Sequence, residues 1–122
     1  MAIGVLIVDD LAFIRLVLRD IVEKAGFHVV AMASDGEEAV KLFEEKLPEV
    51  VLLDITMPKM DGIAALRRMR RINPASKIIM CSALGQQRLI VQAIGLGARD
   101  FIVKPFKPER VVGSIRKALD ID

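Results

Sequence analysis

Neither tryptophan nor tyrosine occurs among the 122 residues, and cysteine and histidine occur once each. The lone thiol, Cys81, cannot close an internal disulfide, which agrees with a reducing compartment and makes the cytoplasm the expected location. It lies in an apolar run and reads as a small buried hydrophobe rather than a reactive group. The lone imidazole, His28, has no second histidine or cysteine close in sequence, so no metal or relay role is expected of it. No apolar run nears the ~20 residues that span a bilayer. Nor does a charged start, apolar core and small-residue cleavage site mark a signal peptide. Neither sign of charge dominates: 18 Lys and Arg face 16 Asp and Glu, for a net +2 and a pI near 8.9. The basic residues are scattered among acids with no block suited to tracking a phosphate backbone, which argues against nucleic-acid binding by this chain alone.

With 53% hydrophobic and 28% charged residues and no repetitive tract, the composition is that of one globular domain, expected over residues 1–122. Four short apolar runs each end on polar side chains. Residues 5–8 lead into Asp9 and Asp10, 50–53 into Asp54, 78–81 into Ser82, and 101–103 into Lys104 and Pro105. Such unbroken runs suit strands buried on both faces, as in a parallel sheet covered by helices. Helical spacing fills the intervals. Ile14, Val17, Leu18, Ile21 and Val22 repeat along one face, and Gly26 is placed to end that helix. Residues 29–32 read as a short second strand. Ser34, three residues before Glu37, reads as a capping box opening a helix to about residue 45, and Pro48 closes that segment. Asp61 is placed to cap a helix carrying Ile63, Leu66 and Met69, which Asn73-Pro74 stops. Residues 86–97 form an apolar segment interrupted by Gly95, which costs about 1 kcal/mol relative to alanine and marks the least stable helix. Pro108 opens the last helix. The whole reads as an α/β protein, a doubly wound five-stranded parallel sheet.

In such sheets ligands bind just beyond the carboxyl ends of the strands, so three carboxylates, a hydroxyl and an ammonium are expected at one rim. Gathered carboxylates repel one another. Mg2+ resolves that conflict, since it takes oxygen ligands, typically one or two carboxylates plus a phosphoryl oxygen. A single strand-end Asp is as readily a cap or a loop start; an adjacent pair plus a third points to a shared site. Asp54, between a buried run and an irregular loop, is the candidate nucleophile, because a carboxylate can take a phosphoryl group as a mixed anhydride. Lys104 would supply positive charge to that group. The Ser82 hydroxyl either donates to a phosphoryl oxygen or caps the following segment.

The runs VLIVDD, LLDITMPKMDG, IIMCSALGQQ and GARDFIVKPF, in this order and at these distances, resemble the response-regulator receiver domain over the whole chain. More narrowly, they resemble single-domain chemotaxis receivers of the CheY type. The resemblance implies a flavodoxin-like (βα)5 fold with strand order 2-1-3-4-5. It implies a phosphorylation-dependent switch of a two-component system, in which Asp54 accepts a phosphoryl group from a histidine kinase. Asp10, Asp54 and the backbone carbonyl of Thr56 would bind Mg2+, with Asp9 acting largely through water. Ser82, Ala83 and Lys104 would bind the phosphoryl group. A cis Lys104–Pro105 bond is also implied, although cis accounts for only about 5–6% of X–Pro bonds. Phe101 would be the aromatic switch residue, turning inward when Ser82 moves. Chemotaxis receivers usually carry tyrosine there, and a phenyl ring offers no hydroxyl to a partner; the alternative is Phe101 as fixed core. The output surface would be the fourth helix, fifth strand and fifth helix, around Phe101, Phe106 and Arg110, with a flagellar motor component as the partner.

Rival readings fare less well. A phosphohydrolase of the haloacid dehalogenase type carries a second Asp two residues after its nucleophile; here that position is Thr56, so turnover of an external substrate is not expected. A flavin carrier on the same sheet needs Ser, Thr or Gly in its first loop, where Asp9 and Asp10 would repel phosphate. A phosphorelay intermediate, passing its group to a histidine phosphotransfer protein, stays open as an alternative. Thr56 and Leu84 flank the site and offer neither carboxylate nor amide to orient water, so self-dephosphorylation is expected to be slow.

Overall fold

Each apolar run forms a parallel strand, and the polar endings fall along one edge of a single sheet. The computed structural model describes residues 3–121; Met1, Ala2 and Asp122, at the ends of the expected 1–122 domain, lie outside them. The elements are β1 (Gly4–Val8), α1 (Ala12–Lys24), β2 (His28–Ala33), α2 (Gly36–Lys46) and β3 (Val50–Asp54). There follow α3 (Gly62–Ile72), β4 (Lys77–Ser82), α4 (Gln87–Gly95), β5 (Asp100–Val103) and α5 (Pro108–Leu119). All strand pairs are parallel, in the order β2-β1-β3-β4-β5, as the resemblance implied. Among the described residues, no helix is long and apolar enough to cross a membrane.

Alternation along the strands divides the core in two. On one face Leu6, Leu53 and Met80 pack with Phe43 of α2, Leu66 of α3 and Ala93 of α4. On the other, Ile7, Leu52 and Ile102 pack with Leu18 of α1 and Ile115 of α5. Coverage of both faces is why β1 and β3 read as unbroken apolar runs. Cys81 belongs to the second core; burial first, then the Asp54 and Asp9 charges, push its thiol well above the usual range. It is the inert buried group the sequence suggested.

Three local expectations are corrected. The second strand runs one residue further at each end than 29–32, because His28 and Ala33 continue the pairing with Gly4 and Val8. The capping box is displaced by one position from Ser34 and Glu37. Asp35 is the cap, its Oδ1 accepting from the Glu38 N–H at 2.9 Å, while the Glu38 carboxylate accepts from the Ser34 N–H at 2.7 Å. The cause lies far away in sequence. A Cβ added at Gly36 would collide with the Met60 carbonyl, so only glycine can begin α2 against that loop, and its predecessor must cap. Asp61 caps α3 as expected, accepting from the Ala64 N–H at 2.9 Å. Helix α4 has no side-chain cap, and Ala93 alone of its residues is fully buried. It is the most weakly anchored helix, though Gly95 ends it rather than interrupting it.

Candidate functional site

Parallel register decides what meets at the rim. Val8 pairs with Leu53, Asp54 with Cys81, and Ser82 with Val103. Asp9, Asp54, Ser82 and Lys104 therefore stand at or one residue past the ends of four adjacent strands. Asp9, Asp10 and Asp54 each place one carboxylate oxygen so that all lie within 4.8 Å of one another. Lys104 Nζ is 3.1 Å from Asp9 Oδ2 and 3.4 Å from Asp54 Oδ2. Two loops hold this arrangement. Asp9 Oδ1 accepts from the Leu11 N–H at 3.0 Å, and the Arg15 guanidinium donates to the Asp9 carbonyl at 2.7 Å. After Asp54, the Gly62 N–H donates to the Ile55 carbonyl at 2.7 Å, and a Cβ at Gly62 would collide with the Asp54 carbonyl. The loop thus folds back over the base of Asp54. The Lys104–Pro105 bond is cis, as the resemblance implied.

Asp9 is 0% and Asp54 4% exposed, whereas Asp10 faces solvent. Burial raises the Asp54 carboxyl to about 6; the Asp9 charge adds to this, Lys104 opposes it, and Asp10 contributes least. Burial by itself would lower the Lys104 ammonium, but the flanking Asp9 and Asp54 outweigh that and hold it above its ordinary value. One ammonium against three carboxylates leaves the ionised cluster with excess negative charge. Asp9 Oδ2 is buried and accepts no hydrogen bond of regular geometry, even with Lys104 beside it. An all-oxygen set with an unsatisfied buried acceptor is compatible with a hard divalent cation.

Ser82 is fully buried and its hydroxyl has no hydrogen-bond partner. It caps nothing, since α4 begins at Gln87 without a side-chain cap. A buried hydroxyl in this state costs about 1–3 kcal/mol, recoverable when an acceptor arrives. Alternation puts Ser82 on the face of Met80, and Phe101 pairs with Met80 in register, so Ser82 and Phe101 share one side of the sheet. Phe101 is half-buried rather than fixed deep in the core. It packs against the α2–α3–α4 face and lines an apolar groove of about 380 Å³ with Ala83, Leu84, Ile90, Val91 and Val103.

Phe106 is placed differently from expectation, whereas Arg110 is exposed beside Phe101 as expected. Phe106 lies on the opposite face of the sheet, beside Phe13 and Leu16 of α1, and does not share the Phe101 groove. Arg110 bonds Asp100 at 3.2 Å and the Phe101 carbonyl at 2.6 Å, tying β5 to α5. Ser114 Oγ completes that network, donating to Asp100 at 2.8 Å. Burial would raise the Asp100 carboxyl, but the bonds from Arg110, Ser114 and the Phe101 N–H together hold it below its usual value. Sequence reading also gave no role to Gln86. Its Oε1 accepts from the Ala83 N–H at 2.7 Å, and its Nε2 donates to the exposed Thr56 hydroxyl at 2.8 Å. The only signal was its presence in the run IIMCSALGQQ; spacing alone does not reveal a side chain that folds back across two loops.

Residues 5–116 match the model of the response regulator receiver domain family. The chain is 53% identical to the chemotaxis protein CheY of Thermotoga maritima over 113 residues, 93% of this chain and 94% of that protein. It is 52% identical to the chemotaxis protein CheY of Bacillus subtilis over 120 residues, 98% of this chain and 100% of that protein. Among solved structures, it is similar to a chain of the CheX–CheY–BeF3–Mg complex from Borrelia burgdorferi. There the TM-score is 0.92 at 39% identity, covering 96% of this chain and 89% of that one.

Proposed function

Since the chain belongs to the response-regulator receiver family, we propose that it is a phosphorylation-dependent chemotaxis switch with Asp54 as its phosphoacceptor. One observation carries this: a buried carboxylate at the end of β3, 3.4 Å from Lys104 and clustered with Asp9 and Asp10. A carboxylate oxygen of Asp54 attacks the phosphorus of a phosphohistidine on the kinase. The P–O bond forms as the P–N bond breaks, its electron pair returns to the histidine nitrogen, and the ring leaves as neutral imidazole with the proton its other nitrogen already carries. A pKa of about 6 keeps Asp54 mainly ionised at neutral pH, as attack requires. Asp9, Asp10, Asp54 and the Thr56 backbone carbonyl would hold Mg2+, which supplies positive charge against the carboxylates and the transferred group. Lys104 shares that neutralisation from its own side. The free Ser82 hydroxyl donates to one phosphoryl oxygen and the Ala83 N–H to another.

Movement of Ser82 towards Asp54 empties space on the face it shares with Phe101, and the phenyl ring turns into it. A two-state equilibrium shifts without any new chemistry at a distance. The readout is the α4–β5–α5 face, where an output protein, in chemotaxis a flagellar motor component, meets the groove. Asp54 is regenerated by hydrolysis of its own anhydride, with no external substrate, and the whole cycle belongs in the cytoplasm. The near full-length likeness to CheY proteins favours this output over a phosphorelay.

Intact mass after incubation with acetyl phosphate and Mg2+ tests the assignment. One added phosphoryl group is expected, absent from Asp54→Ala and from a chelated sample. Addition that survives in Asp54→Ala would place the acceptor elsewhere.

A further inference from the structure

Gln86 joins the two loops that close the phosphoryl site. Its carboxamide is used at both ends, the oxygen by the Ala83 N–H and the nitrogen by the Thr56 hydroxyl. The helix it precedes does not require this, for Gln86 makes no side-chain cap to α4. Ala83 lies two residues beyond Cys81, which pairs with Asp54, so its amide is the first backbone donor past β4 at the acceptor strand. A phosphoryl oxygen is an anion, and an N–H bonds an anionic acceptor roughly twice as strongly as a neutral one. We propose that the Gln86 carboxamide is an internal stand-in for a phosphoryl oxygen. It holds the Ala83 amide while Asp54 is unmodified and is displaced when Asp54 carries its phosphoryl group, which frees the entry of α4. This rests on the reading of Asp54 as phosphoacceptor.

Displacement has a ready consequence. With Gln86 released from Thr56, the uncapped and thinly buried α4 loses its tie to the 55–61 loop. Ala83, Leu84 and Gln86 also line the groove beside Phe101, so the same event reshapes the output surface. This route runs through the loop and is separate from the Ser82–Phe101 route through the sheet. A residue that merely shaped the loop would aid anion binding, and its loss would weaken it. A competitor does the opposite.

The test is beryllofluoride binding in Mg2+ by the wild type, Gln86→Ala and Thr56→Val, followed through the Ala83 amide resonance and its hydrogen exchange. Gln86→Ala should bind about fivefold more tightly, on the scale of one net hydrogen bond, and Thr56→Val should fall between the two. The Ala83 amide should be protected in the free wild type, and in Gln86→Ala only after beryllofluoride is added. Equal or weaker binding by Gln86→Ala, or an unprotected amide in the free wild type, would overturn the competition alone. Binding by none of the three would overturn the Asp54 assignment and the competition with it.

Discussion

At the scale of single residues, the site is held away from its electrostatic optimum. The Asp54 carboxyl lies at about 6 against an ordinary 3.8, so between those values the folded chain keeps a proton that the unfolded chain has released. Stability without metal therefore falls as pH rises from about 4 through 6, and the penalty is complete above that. Asp54→Asn should raise the metal-free stability at about pH 7.5 by about 1–2 kcal/mol, allowing for solvent screening. The gain should shrink as the pH is lowered towards about 4. Thermal melting at both pH values checks this, and a gain that grew on acidification would contradict it. Asp10→Asn should act in the same direction but less, since Asp10 is exposed and contributes least to the shift. Leu84, exposed beside Ala83, offers no group to hold an attacking water. Leu84→Glu should speed loss of the phosphoryl group by about tenfold, less than the ~10²-fold or more of a fully positioned acid–base group, because position 84 is exposed. The decay of phosphorylated mass reads that directly.

At the scale of elements, close backbone approaches and helix ends explain what sequence could and could not reveal. The strand ends bearing Asp9, Asp54 and Ser82 were legible because an apolar run buried on both faces has one pattern, and its polar terminus stands out. Lys104 follows the half-buried edge strand β5, whose run is apolar without being buried on both faces. The shift of the cap from Ser34 to Asp35 was not, since Gly36 takes its place from Met60 in another loop. The same holds for Arg110 and Gln86, whose partners at Asp100 and Thr56 are 10 and 30 residues away. Glycine positions separate the two kinds of constraint. Gly113 is exposed inside α5 with nothing within 4 Å of an added Cβ, so Gly113→Ala should stabilise by about 0.5–1 kcal/mol. Gly62 lies against the Asp54 carbonyl, and Gly62→Ala should destabilise by about 2 kcal/mol or more. Urea denaturation of the two variants should move in opposite directions. Amide exchange should find α4 the least protected helix, far below β1 and β3; equal protection would remove it as the element that rearranges.

At the scale of the molecule, one parallel sheet serves two ends. Its carboxyl rim gathers charge, and its α2–α3–α4 face carries both Ser82 and Phe101, so on the proposed reading an event at the rim would reach an apolar groove through one strand pair. Buried charge excess and an unsatisfied hydroxyl each destabilise the resting state slightly, and the same ligand set would relieve both. Mg2+ should accordingly raise the melting midpoint of the wild type and leave that of Asp54→Asn much less changed. The central claim is that chemistry at Asp54 repositions Phe101 by way of Ser82. Fluorine NMR of protein labelled with fluorophenylalanine reports on it, because the chain has only five phenylalanines and Phe101→Leu assigns the signal. Beryllofluoride with Mg2+ should shift the Phe101 resonance in the wild type and leave it in place in Ser82→Ala. A Phe101 resonance that stays unmoved in the wild type, with beryllofluoride demonstrably bound, would contradict the account.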